Sequence, residues 1–399
     1  MKNDRPGTSS RIVSRAPIAA RPARARALAC IACAVACMAL LVPALSGDPA
    51  DPAKGGGERG QAPCSRVMLQ PPPAWLSSAL WVPSAGKILA VDTALNRVLL
   101  YAPSGHGTVV IDSQQGKLPA LLATSEEGIL LKMVGRDVVR LDESFRPAEE
   151  HSVLKDAVSD VGSVGSIYQW SGDHSILAYG SIRSPKLPDG YELGFLRIPV
   201  SPSGARTEML MRYADGDYYR LGYQYLATLG TTGYFVRMAP QKAELFAVDA
   251  DSTRPRLLPN AIPPAFRTPP KLEGSMTGPA DAPKFYAQLE GFSIPTGLYA
   301  GADGLLYLLT RQPGVAAGVT DWSIYRIDPA RDRVLNGVSL PTHAKHLSVV
   351  VAPSAFYFFE RGELSPFGSQ RIPSLVAIGA ELIARGAPAG STVCPQLVP

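Results

Sequence analysis

Charge is scarce in this chain, and so are histidine and the sequence signs of catalysis. Of its 399 residues only 18% are Asp, Glu, Lys or Arg, against 46% hydrophobic. No segment after the first 63 residues sustains a helical apolar period, which argues against a helical bundle. No G-x-S-x-G nucleophile turn occurs. There are five His, and His106, His151 and His174 fall in or near turns, while His343 and His346 form HAKH. In an extended chain that spacing sends the two rings to opposite faces, a poor start for a metal site. What is abundant is turn chemistry: 37 Gly and 37 Pro. Short apolar runs between such turns describe an all-β protein.

The basic balance of the chain sits in its first residues. Residues 1–26 carry Lys2, Arg5, Arg11, Arg15, Arg21, Arg24 and Arg26 against Asp4 alone, so 27–399 keep a formal charge of −1 out of the chain's +5. A near-neutral body gives no footprint for nucleic acid. The basic stretch precedes the uncharged run Ala27–Leu45, then Ser46. Residues 1–46 therefore read as a secretory signal, or as an uncleaved anchor through which alone the protein would meet a membrane. Both readings place the body outside the cytoplasm, in the periplasm or beyond. Residues 47–63, rich in Gly, Pro and charge, read as a flexible linker.

Three of the five cysteines (Cys30, Cys33, Cys37) belong to that leader. Cys64 and Cys394 lie near the two ends of the remaining chain. In an oxidising compartment the pair reads as one disulfide, the alternative being two unrelated thiols.

From Cys64 on, one pattern recurs: an apolar strand, an Asp or Pro turn, a second strand. It is clearest in GKILAVDTALNRVLLYAPSGHGTVVI, 86–111, and returns in DVVRLDESFRPAEE, GFLRIPVSPSGARTEML, ELFAVDADSTRPRLL, SIYRIDPARDRVLNGVSL and, more poorly, LVAIGAELIARG. Another pair of strand-like runs precedes each copy. About four strands per unit is the content of a propeller blade. Six units make residues 64–399 a six-bladed β-propeller of four-stranded antiparallel blades. The Pro-rich insertion 259–283 reads as a loop, with a seventh, degenerate blade as the alternative. Cys64–Cys394 would then staple the seam of the ring.

ILAVDTALNRVLLYAPSG resembles the NHL-type repeat, and PTGLYAGADGLLYLLT is similar to blades of the wider six-bladed propeller group. The resemblance implies the fold much more than an activity. Gluconolactonase-type members hold a divalent metal at the central mouth through Glu, Asn and Asp. In this chain Thr296 stands where that Asn would be, and Asp303 matches a turn Asp that is usually structural. Loss of an oxygen ligand weakens a metal site there.

The second strands of five blades end in basic residues: Lys132, Arg183, Arg237, Arg311 and Arg361. On one rim they can hold carboxylates or phosphates, whereas Asp92 ends the corresponding strand of blade 1. Tyr218 and Tyr219, in the tyrosine-rich stretch Arg212–Tyr225, add a platform suited to a glycan or peptide. Long connections follow the same strands in blades 3, 5 and 6, where recognition usually lives. The resulting expectation is a non-catalytic exported scaffold that binds an anionic small molecule, a glycan or a protein and needs no cofactor. The alternative is a propeller hydrolase or lyase with Ca or Zn in the channel.

Overall fold

The repeat begins with a backbone requirement. Strands β3 (Lys87–Asp92) and β4 (Arg97–Tyr101) are joined by four residues, of which Asn96 has φ 52°. Strands β19 (Thr320–Asp328) and β20 (Arg333–Ser339) are joined in the same way, with Asp332 at φ 48°. Asn and Asp are the side chains that best tolerate this left-handed region. Hence DTALNR and DPARDR spell the same hairpin in blades 1 and 5.

The computed structural model describes residues 64–113, 119–125, 128–133, 137–148, 161–169, 175–184, 190–199, 206–213, 225–239, 242–269, 287–289, 291–316, 319–360, 374–386 and 391–397. Residues 1–63, read from the sequence as leader and linker, lie outside them. Among the described residues no helix is long and apolar enough to cross a membrane.

Six antiparallel sheets form the described chain. Blade 1 is β2 (Leu76–Val82), β3, β4 and β5 (Gly107–Asp112). Blade 2 has three described strands, β6 (Pro119–Ser125), β7 (Gly128–Met133) and β8 (Val138–Leu141), with Pro147 bridged to Leu141 at the next edge. Blade 3 comprises β9 (Val161–Gln169), β10 (Ser175–Arg183), β11 (Tyr191–Pro199) and β12 (Glu208–Arg212). Blade 4 comprises β13 (Leu226–Leu229), β14 (Thr232–Ala239), β15 (Lys242–Asp249) and β16 (Arg256–Leu258). Blade 5 is β17 (Ile294–Ala300), β18 (Leu306–Pro313), β19 and β20. Blade 6 is β21 (Leu347–Val351), β22 (Ala355–Glu360) and β23 (Ser374–Gly379), completed by the N-terminal strand β1 (Cys64–Met68).

The first strands touch one another in the cycle β2, β6, β9, β13, β17, β21 and back to β2. The chain is therefore a six-bladed propeller. Because β13 meets β17 directly, the insertion between them adds no seventh blade. Its described part packs on the ring instead, with buried Phe266 edge-to-face against Tyr325 of blade 5 at 5.5 Å.

Strand alternation explains the continuous apolar runs. Ile88 and Ala90 of β3 join Tyr357, Phe359 and Leu375 of blade 6, whereas Leu89 and Val91 join Leu122, Leu131 and Met133 of blade 2. Both faces of a blade are interior, so in and out residues are equally apolar. Between blades 3 and 4, Phe195 and Phe235 pack with ring centroids 4.0 Å apart and planes tilted by 32°. Full burial of each such ring stabilises the fold by about 1.5–3 kcal/mol.

The sixth copy departs from the sequence expectation. LVAIG is β23, but the following residues form a helix, α1 (Ala380–Arg385). The edge a fourth strand would need is already taken by β1, paired from Cys64↔Ile378 to Met68↔Ser374. Ala-Glu-Leu-Ile-Ala-Arg, composed of good helix formers, instead docks on blade 5. Asn336 donates to Ile383 O at 3.1 Å and Arg326 to Ala384 O at 3.0 Å.

Cys64 and Cys394 are bonded, their Cα atoms 5.9 Å apart across 330 residues. The bond does not cross from blade 6 to blade 1. It ties the start of β1 to the C-terminal segment, which bridges at Thr392 to Ser339 of blade 5. The seam itself is carried by the β1–β23 ladder, and the disulfide holds β1 in place.

Candidate functional site

One face of the ring collects the starts of the first strands and the ends of the second strands. Four first strands open with a β-bulge, at Ser77, Ala120, Gly162 and Thr296. Bulges re-aim side chains and often stand beside sites. Here they ring the mouth of the channel, and Ser77 Oγ donates to Ala120 O at 2.6 Å, tying two of them together.

The bulges also fix the register of the basic strand ends. Opposite the bulge, Asp92, Met133, Ile182 and Thr310 are equivalent. Lys132 comes one residue earlier than this position, and Arg183 and Arg311 one residue later. They share a parity with each other and not with Asp92. The contrast drawn from sequence between Asp92 and the basic ends is thus offset by one residue, because spacing in sequence does not register a bulge in the partner strand.

Asp92 is fully buried and structural. Its carboxylate accepts the N–H groups of Ala74 and Trp75, each at 2.9 Å, and Arg97 Nε at 3.1 Å. Arg97 and Tyr101 reach back to the carbonyls of Pro72 and Pro71, at 2.7 and 2.6 Å. Together they pin the connector that leads from β1 into blade 1.

The candidate cations sit in different surroundings. Lys132 is 6% exposed, and Nζ donates to the carbonyl of its neighbour Met133 at 3.1 Å. Burial in apolar surroundings pushes its ammonium pKa below the ordinary lysine value. Arg311, 3% exposed, lies opposite Trp322 in the β18–β19 ladder. The Trp322 indole donates to Ala344 O at 2.7 Å. Arg237 is half-buried and lies opposite Glu244, which pairs with Lys242 at 2.6 Å. Arg183 is exposed at the tip of β10. Arg361, Tyr218 and Tyr219 lie outside the described residues, and β22 ends in Glu360 instead.

Carboxylates on this face are held by internal partners. Glu360 accepts from Arg66, Thr342 and Ser374. Glu192 accepts from Ser184 Oγ at 2.5 Å and pairs with Arg212 at 2.8 Å. Asp321 faces His343 Nδ1 at 3.1 Å. Among the described residues no group of three or more His, Cys, Asp or Glu is placed to hold a metal ion. The two positions compared with a propeller metal site behave as structure. Thr296, in its bulge, donates to Leu309 O at 3.3 Å, and Asp303 accepts from Tyr307 OH at 2.8 Å.

Sequence reasoning did not bring together two residues at the mouth. Trp75 and His346 each immediately precede a first strand, and their rings meet edge-to-face at 5.5 Å. Only their shared place, one residue before an innermost strand, could have signalled the pairing. The long connections predicted in blades 3 and 5 are shorter than expected. β10 and β11 pair as far as Arg183↔Tyr191, and β18 and β19 as far as Pro313↔Thr320. The exposed Val315 stands in the second connection.

By this topology the chain belongs to the six-bladed β-propeller proteins. No protein-family model matches it, and no curated protein matches it. Similar solved structures include a gluconolactonase from Xanthomonas campestris, 14% identical with a TM-score of 0.48, covering 78% of this chain and 89% of that one. A luciferin-regenerating enzyme is 13% identical with a TM-score of 0.48, over 82% and 99% of the two chains. Virginiamycin B lyase from Staphylococcus aureus is 10% identical with a TM-score of 0.41, over 79% and 98%. These three are enzymes, and similarity at this level says nothing about the chemistry of the present chain.

Proposed function

We propose that the protein is an exported, non-catalytic propeller that binds an anionic ligand at the face where the second strands end. The supporting observation is placement: Lys132, Arg183, Arg237 and Arg311 stand at or near the ends of second strands on one face of the ring. Cations gathered on a rigid rim recognise carboxylates and phosphates, on a small molecule, a glycan or a protein. Export rests on reading residues 1–46 as a signal or anchor, and the Cys64–Cys394 bond supports it, since disulfides persist in oxidising compartments.

Calorimetric titration with inorganic phosphate and citrate tests the binding. The Arg183→Ala plus Arg237→Ala variant should weaken it about tenfold, or 1.4 kcal/mol, with the fold intact. Arg311 is left alone because its burial ties it to packing. Unchanged affinity in the double variant sinks the rim assignment. The second reading is a hydrolase or lyase with Ca or Zn in the channel. A stoichiometric Ca or Zn in the purified protein, whose removal lowers stability, would decide for that reading.

A further inference from the structure

The outermost strand of blade 4 stops early, and a hollow opens where it stops. β16 pairs with β15 from Ala247↔Arg256 to Leu245↔Leu258 and goes no further, although β15 begins at Lys242. Pro259 follows, with no N–H to continue a ladder. The chain turns away, and Asn260 donates through N and Nδ2 to the Asp332 carboxylate of the blade 5 hairpin, at 3.0 and 3.1 Å. It returns at Arg267, whose carbonyl accepts the Ala243 N–H at 2.8 Å, where a longer β16 would have paired. Between this loop and the start of β15 lies a cavity of about 180 Å³.

The walls are of two kinds. Leu245, Leu258 and Ile262 are buried apolar side chains, and Leu257, 40% exposed, leaves apolar surface open at the edge. Lys242, Glu244 and Arg267 supply the charge. Lys242 and Glu244 answer each other at 2.6 Å, so the balance of the lining is one positive charge, on Arg267. Arg267 Nε donates to Ile262 O at 2.8 Å, which orients the guanidinium against the same wall. With Nε engaged, the terminal nitrogens are the fork through which a carboxylate is held.

The loop that closes the cavity is anchored at both ends of its course. Asn260 is tied to Asp332, and buried Phe266 packs on Tyr325. A preformed wall spares a ligand the cost of ordering it. An apolar hollow of about 150 Å³ accepts benzene, so the volume here suits a body of that size. A small apolar hollow with a few convergent polar groups is the form that ligand sites take.

We infer that this cavity binds a small monocarboxylate with an apolar body of about five to seven carbons, its carboxylate on Arg267 and its body against Leu245, Leu258 and Ile262. The strand-end cations Lys132, Arg183, Arg237 and Arg311 do not line it. It is therefore a second site, and it stands without the anion-binding reading of the rim.

The test is titration of the full chain with hexanoate, followed by methyl and amide resonances, with hexanamide and acetate in parallel arms. Hexanoate should bind in the millimolar range and shift the methyl signals of Leu245, Leu258 and Ile262. Hexanamide keeps the shape without the charge, and acetate keeps the charge without the body. Each should bind at least about tenfold more weakly. Arg267→Gln should weaken hexanoate about tenfold and leave hexanamide unchanged. Leu257→Ser, at an exposed position, should weaken hexanoate about threefold with the native circular dichroism kept. Absence of saturable hexanoate binding overturns the inference, as does equal affinity for hexanoate and either control. Shifts at Trp75 and the channel mouth with none at Ile262, or hexanoate affinity that survives both substitutions, overturn it too. None of these results bears on phosphate and citrate, which the Arg183 and Arg237 variants judge.

Discussion

Arg66, in the middle of the strand that closes the ring, donates to Glu360 at the end of β22. The same guanidinium reaches Ser374 Oγ at 3.1 Å, Leu397 O at 3.1 Å and Pro341 O at 3.3 Å. One side chain thus joins the N-terminal strand, the C-terminal segment, blade 6 and the connector from blade 5. It does so inside blade 6, where β1 and β23 pair without a continuous chain between them.

Arg66→Ala should therefore destabilise the fold by about 2 kcal/mol, less than a fully buried pair because Arg66 keeps some exposure. Glu360→Gln should cost a similar amount. Urea titration checks both, and a double variant whose loss equals the sum of the single losses would refute their coupling.

Cys64–Cys394 guards the same strand. Chain entropy credits a loop of this length with about 5 kcal/mol as an upper figure. Cys64→Ser with Cys394→Ser should lower stability by a part of that, and the first losses of amide protection should appear in β1. The intact protein should gain the mass of two hydrogens on reduction. Two thiols alkylated without a reductant in the native protein would contradict the pairing.

Asp92→Asn keeps shape but removes the charge that Arg97 and two backbone N–H groups meet. The expected loss is about 1–3 kcal/mol, with the connector 69–75 loosened before the blades. Faster hydrogen exchange at Trp75 than at Leu99 would show that order, and equal acceleration throughout would deny it.

Tyr307 links pH to stability. Burial, then its bond to Asp303, pushes its phenol from the ordinary tyrosine value up to about 12. The folded state thus holds its proton more tightly than the unfolded chain, so stability is fully present below about pH 10 and declines as pH rises through 12. Tyr307→Phe should flatten that alkaline decline while costing about 1 kcal/mol at neutral pH for the lost bond. Denaturation midpoints across the alkaline range read both effects, and a decline as steep as in the parent protein would count against this assignment.

How much of this was written in the sequence depends on the range of the interaction. DTALNR and DPARDR declared their hairpins because the left-handed turn is a local demand that Asn96 and Asp332 meet. Recurrence of a strand–turn–strand pattern counted six blades, since every blade repeats the same local hairpins. The pairing of Cys64 with Cys394 was legible from there being two cysteines after residue 63. Tertiary structure decided the rest. LVAIGAELIARG could not show that its fourth strand would come from residues 64–68, which lie about 310 residues away in the chain. Asp92 looked like a rim charge until its amide partners and Arg97 enclosed it. Lys132 was one basic strand end among five until packing between blades buried it. A bulge inserts one residue in one strand only, so register, and with it the face each charge occupies, is a property of paired strands and not of either strand alone.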